Sequence, residues 1–282
     1  MAEGAEKIFK RDAKLANLPT FSQAEELHRA TAPSKPAYDL IHGHCVVIAT
    51  ISWQIAHHCN MLLGAENSVC EMNDALAERA ELAQSCMKEL IGDAYDALPA
   101  VKGGEAPERY VDEYAALVGG LLHDIGTYFV LKNDGSGKDG GSEKADGSEK
   151  AENKLKFDGP NYILHGIRGY EYLLRKGFGE DAAQFARNHT GVGLLRSQVI
   201  AQNLPLPAED YIPQTIEQEI VMVADKYNSK SIPPRFLTVD AYRRKAARFG
   251  EENSMRWMQL VCKYGEPDIA ALAEIFNMRV DA

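Results

Sequence analysis

Several features that define common classes of protein are scarce or absent in this sequence. Its five cysteines are odd in number and never form a Cys-x-x-Cys pair, so neither a disulfide framework nor a thiolate zinc site is indicated. No apolar run reaches the roughly 18 residues that a membrane-spanning helix needs, and the first residues lack the apolar core of a signal peptide. We therefore expect a cytoplasmic protein that does not bind membranes.

An excess of basic charge is also lacking. The 31 basic residues are outnumbered by 41 acidic ones, which gives a net charge of −10. A protein that binds nucleic acid without sequence preference needs a basic face, so this role is not expected. The balance still permits a local basic pocket for one small phosphorylated molecule. The content of 45% hydrophobic and 26% charged residues is that of an ordinary globular protein.

The alternation of apolar and polar residues that is typical of strands is almost absent, so the predicted fold is all-α. Apolar periodicity and helix-breaking residues predict helices at about 22–29, 38–63, 73–92, 108–123, 161–177, 180–189, 213–228, 239–263 and 267–277. Ser22 and Glu25 have capping-box spacing, and Pro213 fits a first helical turn. Gly126 is expected to stop the helix of residues 108–123.

Residues 132–156 differ in composition from the rest. The hexapeptide Gly-Ser-Glu-Lys-Ala-Asp at 141–146 is nearly repeated at 147–152 within a Gly, Ser, Lys, Asp and Glu tract. Such a segment buries too little apolar area to offset the entropy of ordering it, so it predicts a flexible insertion. Residues 135–140 match Gly-x-Gly-x-x-Gly, but no apolar helix follows, and dinucleotide binding is not indicated.

Potential metal ligands stand in or beside apolar helical runs with small neighbours. They are His44, the adjacent pair His123 and Asp124, His165, His189 and Asp225. Each has an ordinary alternative, because a histidine on a helix is usually a hydrogen-bonded core residue. Asp225 interrupts the apolar run 220–224, and its burial would require a metal or a basic partner.

Taken together, the ordered series of His, His-Asp, His, His and Asp resembles the HD superfamily of metal-dependent phosphohydrolases. Leu122-His-Asp-Ile-Gly126 is close to the family signature, His44 is followed by Ile48-Ala49, and Val-Ala-Asp225 resembles the last ligand motif. The resemblance covers residues 38–230, preceded by a leader at 1–37 and followed by a helical extension at 231–282. The chain looks most like predicted archaeal and bacterial phosphohydrolases of this superfamily. More distantly, it is similar to HD-type hydrolases of diadenosine polyphosphates.

The resemblance implies a helical bundle and a divalent transition metal. Imidazole and carboxylate ligands suit iron, manganese, cobalt, nickel or zinc better than magnesium or calcium. By resemblance, His44, His123, Asp124 and Asp225 would hold one ion, and His165 and His189 would complete a second site bridged by Asp124. A metal-bound hydroxide would cleave a nucleotide or another small phosphate ester, with Asp124 and His123 as catalytic residues.

Substrate binding is assigned to basic residues near the ligands. Arg168, three residues after His165, is the first candidate, followed by Arg187 and Lys226, while Arg196 and Arg235 are weaker ones. Thr127 stands where many members of the superfamily have lysine or arginine. Two alternatives remain open: a di-iron oxygenase with the same six ligands, and a regulatory or binding module that has lost turnover.

Overall fold

The computed structural model describes residues 18–65, 72–132 and 155–282, and within these ranges the fold is all-α, as predicted. The helices are α1 (Phe21–Thr31), α2 (Lys35–Ala65), α3 (Asp74–Ile91), α4 (Glu113–Leu122), α5 (His165–Arg175), α6 (Glu180–Arg187), α7 (Arg196–Ala201), α8 (Ile216–Ala224), α9 (Val239–Ala247), α10 (Glu251–Tyr264) and α11 (Ile269–Ile275). Short 3₁₀ helices cover Gly92–Ala97, Ile125–Val130, Gly159–Leu164 and Asp225–Tyr227. The predicted insertion lies almost wholly outside the described residues, as do residues 1–17 of the predicted leader.

A small sheet that the sequence did not predict follows the 3₁₀ helix after α8. Strand β1 (Asn228–Ser229) pairs antiparallel with β2 (Arg235–Leu237), and β2 pairs in parallel with β3 (Arg279–Asp281). Each strand has only two or three residues, too few for an alternating pattern to be visible in the sequence. The sheet ties the chain that follows Asp225 to the C-terminal residues.

Helices α2 and α4 form the centre of the bundle, and a glycine sets how closely they approach. A Cβ atom at Gly120 would lie 2.6 Å from Cα of Ala49, which is too close for any side chain. Ile48, Ile51, Leu117 and the rest of this contact are fully buried. The long helix α2 is apolar enough to cross a membrane, but 72% of its most apolar window is buried inside the fold. It is therefore packed as a core helix.

Side-chain caps explain where several helices begin and correct three predictions. Thr20, rather than Ser22, caps α1 and forms a capping box with Gln23. Asp112 accepts a hydrogen bond from the Ala115 amide at 2.9 Å, so α4 begins later than predicted. Thr215 caps α8 in the same way, and Pro213 therefore lies before the helix instead of in its first turn.

Other boundaries differ because of turns that the periodicity did not reveal. The predicted helix 239–263 is divided into α9 and α10 by Gly250, whose φ of +126° is rarely adopted by other residues. The predicted helix 161–177 opens with a 3₁₀ segment, and the predicted loop 191–213 contains α7.

Gly126 does not act as a helix stop. It lies inside a 3₁₀ helix without a positive φ, and a Cβ atom there would collide with backbone atoms of His165 and Gly169. Its role is to let α5 approach the chain that follows α4. This close approach brings His165 towards Asp124.

The C-terminal helices pack into the same core as α2 and α8. Trp257 of α10 is fully buried between Tyr227 and Tyr242, and its indole nitrogen donates to the Val239 carbonyl at 3.0 Å. Because of this packing, α9 and α10 lie beside the segment that carries Asp225.

Candidate metal centre

The structure brings all six predicted ligands together, although they are spread over 182 positions of the chain, from 44 to 225. His44 lies within α2, and the other five ligand candidates lie at or next to helix ends. These five are His123 and Asp124 directly after α4, His165 at the start of α5, His189 beyond α6 and Asp225 directly after α8. Helix ends suit this purpose because the chain turns there and the side chain can point along the bundle axis. All of these side chains are buried or nearly so.

The inner pair consists of His44 and His123. Their Nε2 atoms are 3.3 Å apart, and Asp225 Oδ1 lies 3.1 Å from the first and 3.4 Å from the second. Oδ2 of Asp124 lies 3.5 Å from His44 Nε2. Four side chains therefore surround one point.

The outer pair consists of His165 and His189. Their Nε2 atoms are 2.9 Å apart, and Oδ1 of Asp124 lies 3.6 Å from each. The two oxygens of Asp124 thus face the two pairs separately. Asp124 therefore lies between the two pairs, with one oxygen towards each.

Hydrogen bonds on the far side of each imidazole orient its Nε2 atom towards the cluster. The Nδ1 atoms of His123, His165 and His189 lie 2.7, 2.6 and 2.8 Å from the carbonyl oxygens of Gly120, Tyr162 and Ala186, and His44 Nδ1 lies 2.8 Å from Asn228 Oδ1. An oxygen of a carbonyl or side-chain amide only accepts, so each Nδ1 carries the hydrogen. With the hydrogen on Nδ1, each ring can direct a lone pair from Nε2 into the cluster, as a metal ligand must.

Converging lone pairs indicate that a cation belongs at this position. Without a hydrogen between them, two Nε2 atoms at 2.9 or 3.3 Å repel each other, and a positive charge between them relieves the repulsion. Three groups of three ligand atoms each lie within 4.8 Å of one another. The donor set contains imidazole and carboxylate but no thiolate, which fits a divalent transition metal.

The protonation states agree with this role. Burial lowers the pKa of His165 to about 3 and also lowers the pKa of His189, so both rings are neutral at pH 7. Burial by itself would raise the pKa of Asp124, but the Lys230 ammonium and the surrounding imidazoles hold it well below its usual range. Burial opposes ionisation of Asp225 too, and the Lys226 ammonium holds its pKa low.

Thr127 orients Asp124. Its hydroxyl donates to Asp124 Oδ1 at 2.8 Å, and its side chain is fully buried. In the sequence, Thr127 is notable because it stands where many members of the superfamily have lysine or arginine. In the structure it fixes the carboxylate between the inner and outer pairs, a role that its place three residues after Asp124 could have suggested.

Two lysines lie at the cluster, and the sequence pointed to only one of them. Lys226 donates to the His189 carbonyl at 2.8 Å and to Asp225 Oδ2 at 2.5 Å. Lys230, which sequence reasoning missed, contacts Asp124 Oδ2 and lies 3.2 Å from His44 Nε2. Asn228 was missed as well. Asn228 lies in β1 and Lys230 directly after it. Neither position is helical, so helical spacing could not indicate either residue.

A cavity of about 630 Å³ opens beside the cluster. His165, His189 and Asp225 line it together with Lys226 and Lys230. Apolar and aromatic side chains form much of its wall, among them Phe157, Tyr162 of the 3₁₀ segment before α5, and Tyr242 of α9. The volume is within the range of small-molecule sites.

The two arginines predicted to bind substrate lie outside this lining. Arg168 donates to the Phe129 carbonyl at 2.5 Å. Arg187 donates to Asp210 O at 2.9 Å, pairs with Glu209, and lies over the Tyr211 ring. Of the three basic residues named from the sequence, Lys226 is the one that reaches the cavity, and its contact with substrate stays a prediction.

Comparison with known proteins agrees with this geometry. The family model described as "HD domain" matches residues 89–229, half of the chain, and this segment includes every ligand candidate except His44. The chain belongs to the HD domain family. His44 lies before the matched segment of the HD domain, but the packing of α2 against α4 brings it to the cluster.

The curated relatives share short segments with this HD domain protein. A tRNA (cytidine(56)-2'-O)-methyltransferase of Picrophilus torridus is 42% identical over 65 residues, which are 23% of this chain and 18% of that protein. An uncharacterized protein of Methanocaldococcus jannaschii is 43% identical over 63 residues, 22% of this chain and 36% of that one. The chain thus spans well under half the length of these relatives. No solved structure matches the chain significantly.

Proposed function

We propose that this HD domain protein is a metal-dependent phosphohydrolase that cleaves a nucleotide or another small phosphate ester. The observation that carries the proposal is the convergence of four Nε2 atoms and two carboxylates in one cluster, of which His165, His189 and Asp225 line a cavity together with two lysines. The HD domain is a fold of metal-dependent phosphohydrolases, which supports this class of reaction.

In this proposal, His44, His123, Asp225 and Asp124 would hold one ion, and His165, His189 and Asp124 would hold a second. A divalent metal bound there would polarise the phosphoryl oxygens and activate water for attack on phosphorus. The chain itself supplies the orientation. Thr127 and the backbone carbonyls fix the ligands before metal binds, so the ligand side chains themselves need little reorganisation.

The cavity supports a substrate larger than phosphate alone. Its volume of about 630 Å³ exceeds what a phosphoryl group fills, and its apolar wall fits an organic leaving group. The two lysines line the cavity next to the ligands, where the negative charge of a phosphate ester would lie. A small phosphorylated molecule therefore fits both the charged and the apolar parts of the cavity lining.

The test is metal analysis of the purified protein, followed by a screen of phosphomonoesters and phosphodiesters with Mn²⁺, Fe²⁺, Co²⁺ or Ni²⁺. We expect bound transition metal and phosphate-ester cleavage that depends on it. If His123→Ala and Asp124→Ala both keep wild-type metal content and activity, the proposed centre is wrong.

The same screen distinguishes the other two functions that the ligand set allows. Oxygen consumption by the iron-loaded protein, without cleavage of any phosphate ester, would favour a di-iron oxygenase. Metal binding without any turnover would favour a regulatory module. Methyl transfer is not proposed, because the chain covers only 18% of the methyltransferase of Picrophilus torridus that it matches.

A further inference from the structure

Lys230 occupies the position of a cation within the inner half of the cluster. Its ammonium contacts Asp124 Oδ2 and lies 3.2 Å from His44 Nε2, and its side chain is only 11% exposed. Since Asn228 Oδ1 accepts from His44 Nδ1, the Nε2 atom of His44 presents a lone pair to the ammonium. The lysine therefore contacts the same two atoms that an ion in the inner site would bind.

A metal ion and the Lys230 ammonium cannot share this position. An ion bound to imidazole and carboxylate lies about 2.0–2.2 Å from each donor atom, so it would displace Nζ from both. The two positive charges would also repel each other strongly in a buried site. Binding of the ion thus requires the lysine side chain to move.

The side chain of Lys230 can move into the cavity. Lys230 lies directly after β1 and lines the cavity together with Ser229 and Ser231. Tyr162, which stacks on the outer ligand His165, lines the same side. A lysine has four flexible methylene groups, so its ammonium can swing from the ligands to this space without a backbone change.

We propose that Lys230 alternates between two anionic partners. In the metal-free protein its ammonium fills the inner site between His44 and Asp124, and in the metal-loaded protein it turns into the cavity and binds the phosphoryl group of the substrate. The second half of this inference rests on the proposed function, whereas the first half concerns metal binding alone.

The first half is tested by titrating the metal-free protein with Mn²⁺ in a calorimeter. We expect Lys230→Met to bind Mn²⁺ about tenfold more tightly than the wild type, because no internal cation competes for the inner site. Lys230→Arg keeps the charge and should remain near the wild type. Lys102→Met is the matched control, because Lys102 pairs with Asp268 on the surface at 3.5 Å. Unchanged or weaker Mn²⁺ binding by Lys230→Met would refute competition.

The second half is tested with inorganic phosphate as the probe, added to protein saturated with Mn²⁺. We expect Lys230→Met to bind phosphate about tenfold more weakly, with recovery in Lys230→Arg. Wild-type phosphate affinity in Lys230→Met would overturn this half. Lys230→Gln repeats both titrations if the methionine variant does not fold.

These results separate the lysine from the proposed activity. If Lys230→Met tightens Mn²⁺ binding but the wild type cleaves no phosphate ester, competition at the inner site stands and the phosphohydrolase proposal fails. If the wild type does cleave phosphate esters and Lys230→Met alters neither titration, the activity stands and the role of Lys230 is refuted.

Discussion

The inner and outer halves of the cluster have the same kind of ligands but different surroundings. His44 and His123 lie beside Asp124 and Asp225, deep between α2 and α4, whereas His165 and His189 face Oδ1 of Asp124 and line the cavity. The two halves are therefore suited to different roles. The inner half has the donors for tight binding, and the outer half has the access that a substrate needs.

The largest effect should come from Asp124, since its Oδ2 atom faces the inner half and its Oδ1 atom faces the outer half. Asp124→Ala should lower both metal occupancy and phosphate-ester cleavage, the latter by about 10³-fold or more. Metal analysis and initial rates measure the two quantities. Asp112→Asn is a suitable control, because Asp112 is also buried but caps α4 and pairs with Arg79. Retention of one full ion in Asp124→Ala would show that the halves do not share this residue.

Removing one histidine from each half tests whether the halves are separate sites. His44→Ala should weaken the inner site by about 100-fold or more, while His165→Ala should leave one tightly bound ion per chain. Mass spectrometry under native conditions gives the number of ions in each variant. If both substitutions reduce the same single ion equally, the six ligands form one site and the distinction between halves is lost.

A smaller effect concerns the free energy of unfolding of the protein at low pH, through a buried histidine beside the inner half. His28 donates to the Leu121 carbonyl at 2.7 Å, next to His123, and burial lowers its pKa to about 4. In the unfolded chain the pKa is near 6.5, so the unfolded state takes up the proton first as pH falls. The contribution of neutral His28 is complete above pH 6.5 and is lost between pH 6.5 and 4.

We therefore expect acid to destabilise the wild type more than His28→Gln, which keeps a donor but does not titrate. From pH 7 to pH 5, the free energy of unfolding should fall by about 2 kcal/mol more in the wild type. Urea unfolding of metal-free protein at both pH values measures this difference. Equal losses in the two proteins would mean that His28 is not held neutral by burial.

The smallest effect should come from Asn228, which touches the inner half alone. Asn228→Ala removes the acceptor of the His44 Nδ1 hydrogen and should weaken the inner site by about tenfold, with the outer site unchanged. Asn228→Asp keeps an acceptor oxygen and should restore binding. Mn²⁺ titration provides the measurement, and equal weakening of both sites would count against a local role for Asn228.

The all-α class and the main helices could be predicted from the sequence because their periodicity is local. His123 and Asp124 were also recognisable, since they are adjacent and follow an apolar helix. Caps such as Asp112 and the division of 239–263 at Gly250 were missed, because each depends on one side-chain bond or one backbone angle. Arg168 shows the same limit. Its position on a helix could be predicted from the sequence, but its hydrogen bond to the Phe129 carbonyl could not.

What the sequence determined by itself was the set of candidate ligands, because imidazole and carboxylate side chains in apolar runs have few stable uses. Only the tertiary structure decided how they are grouped. The close approach permitted by Gly120 and Gly126 sets the distance between α2, α4 and α5, and this distance places two Nε2 atoms on each side of Asp124. The position of Lys230 was likewise decided in three dimensions, because a long side chain after an irregular turn can reach a charge that is remote in sequence.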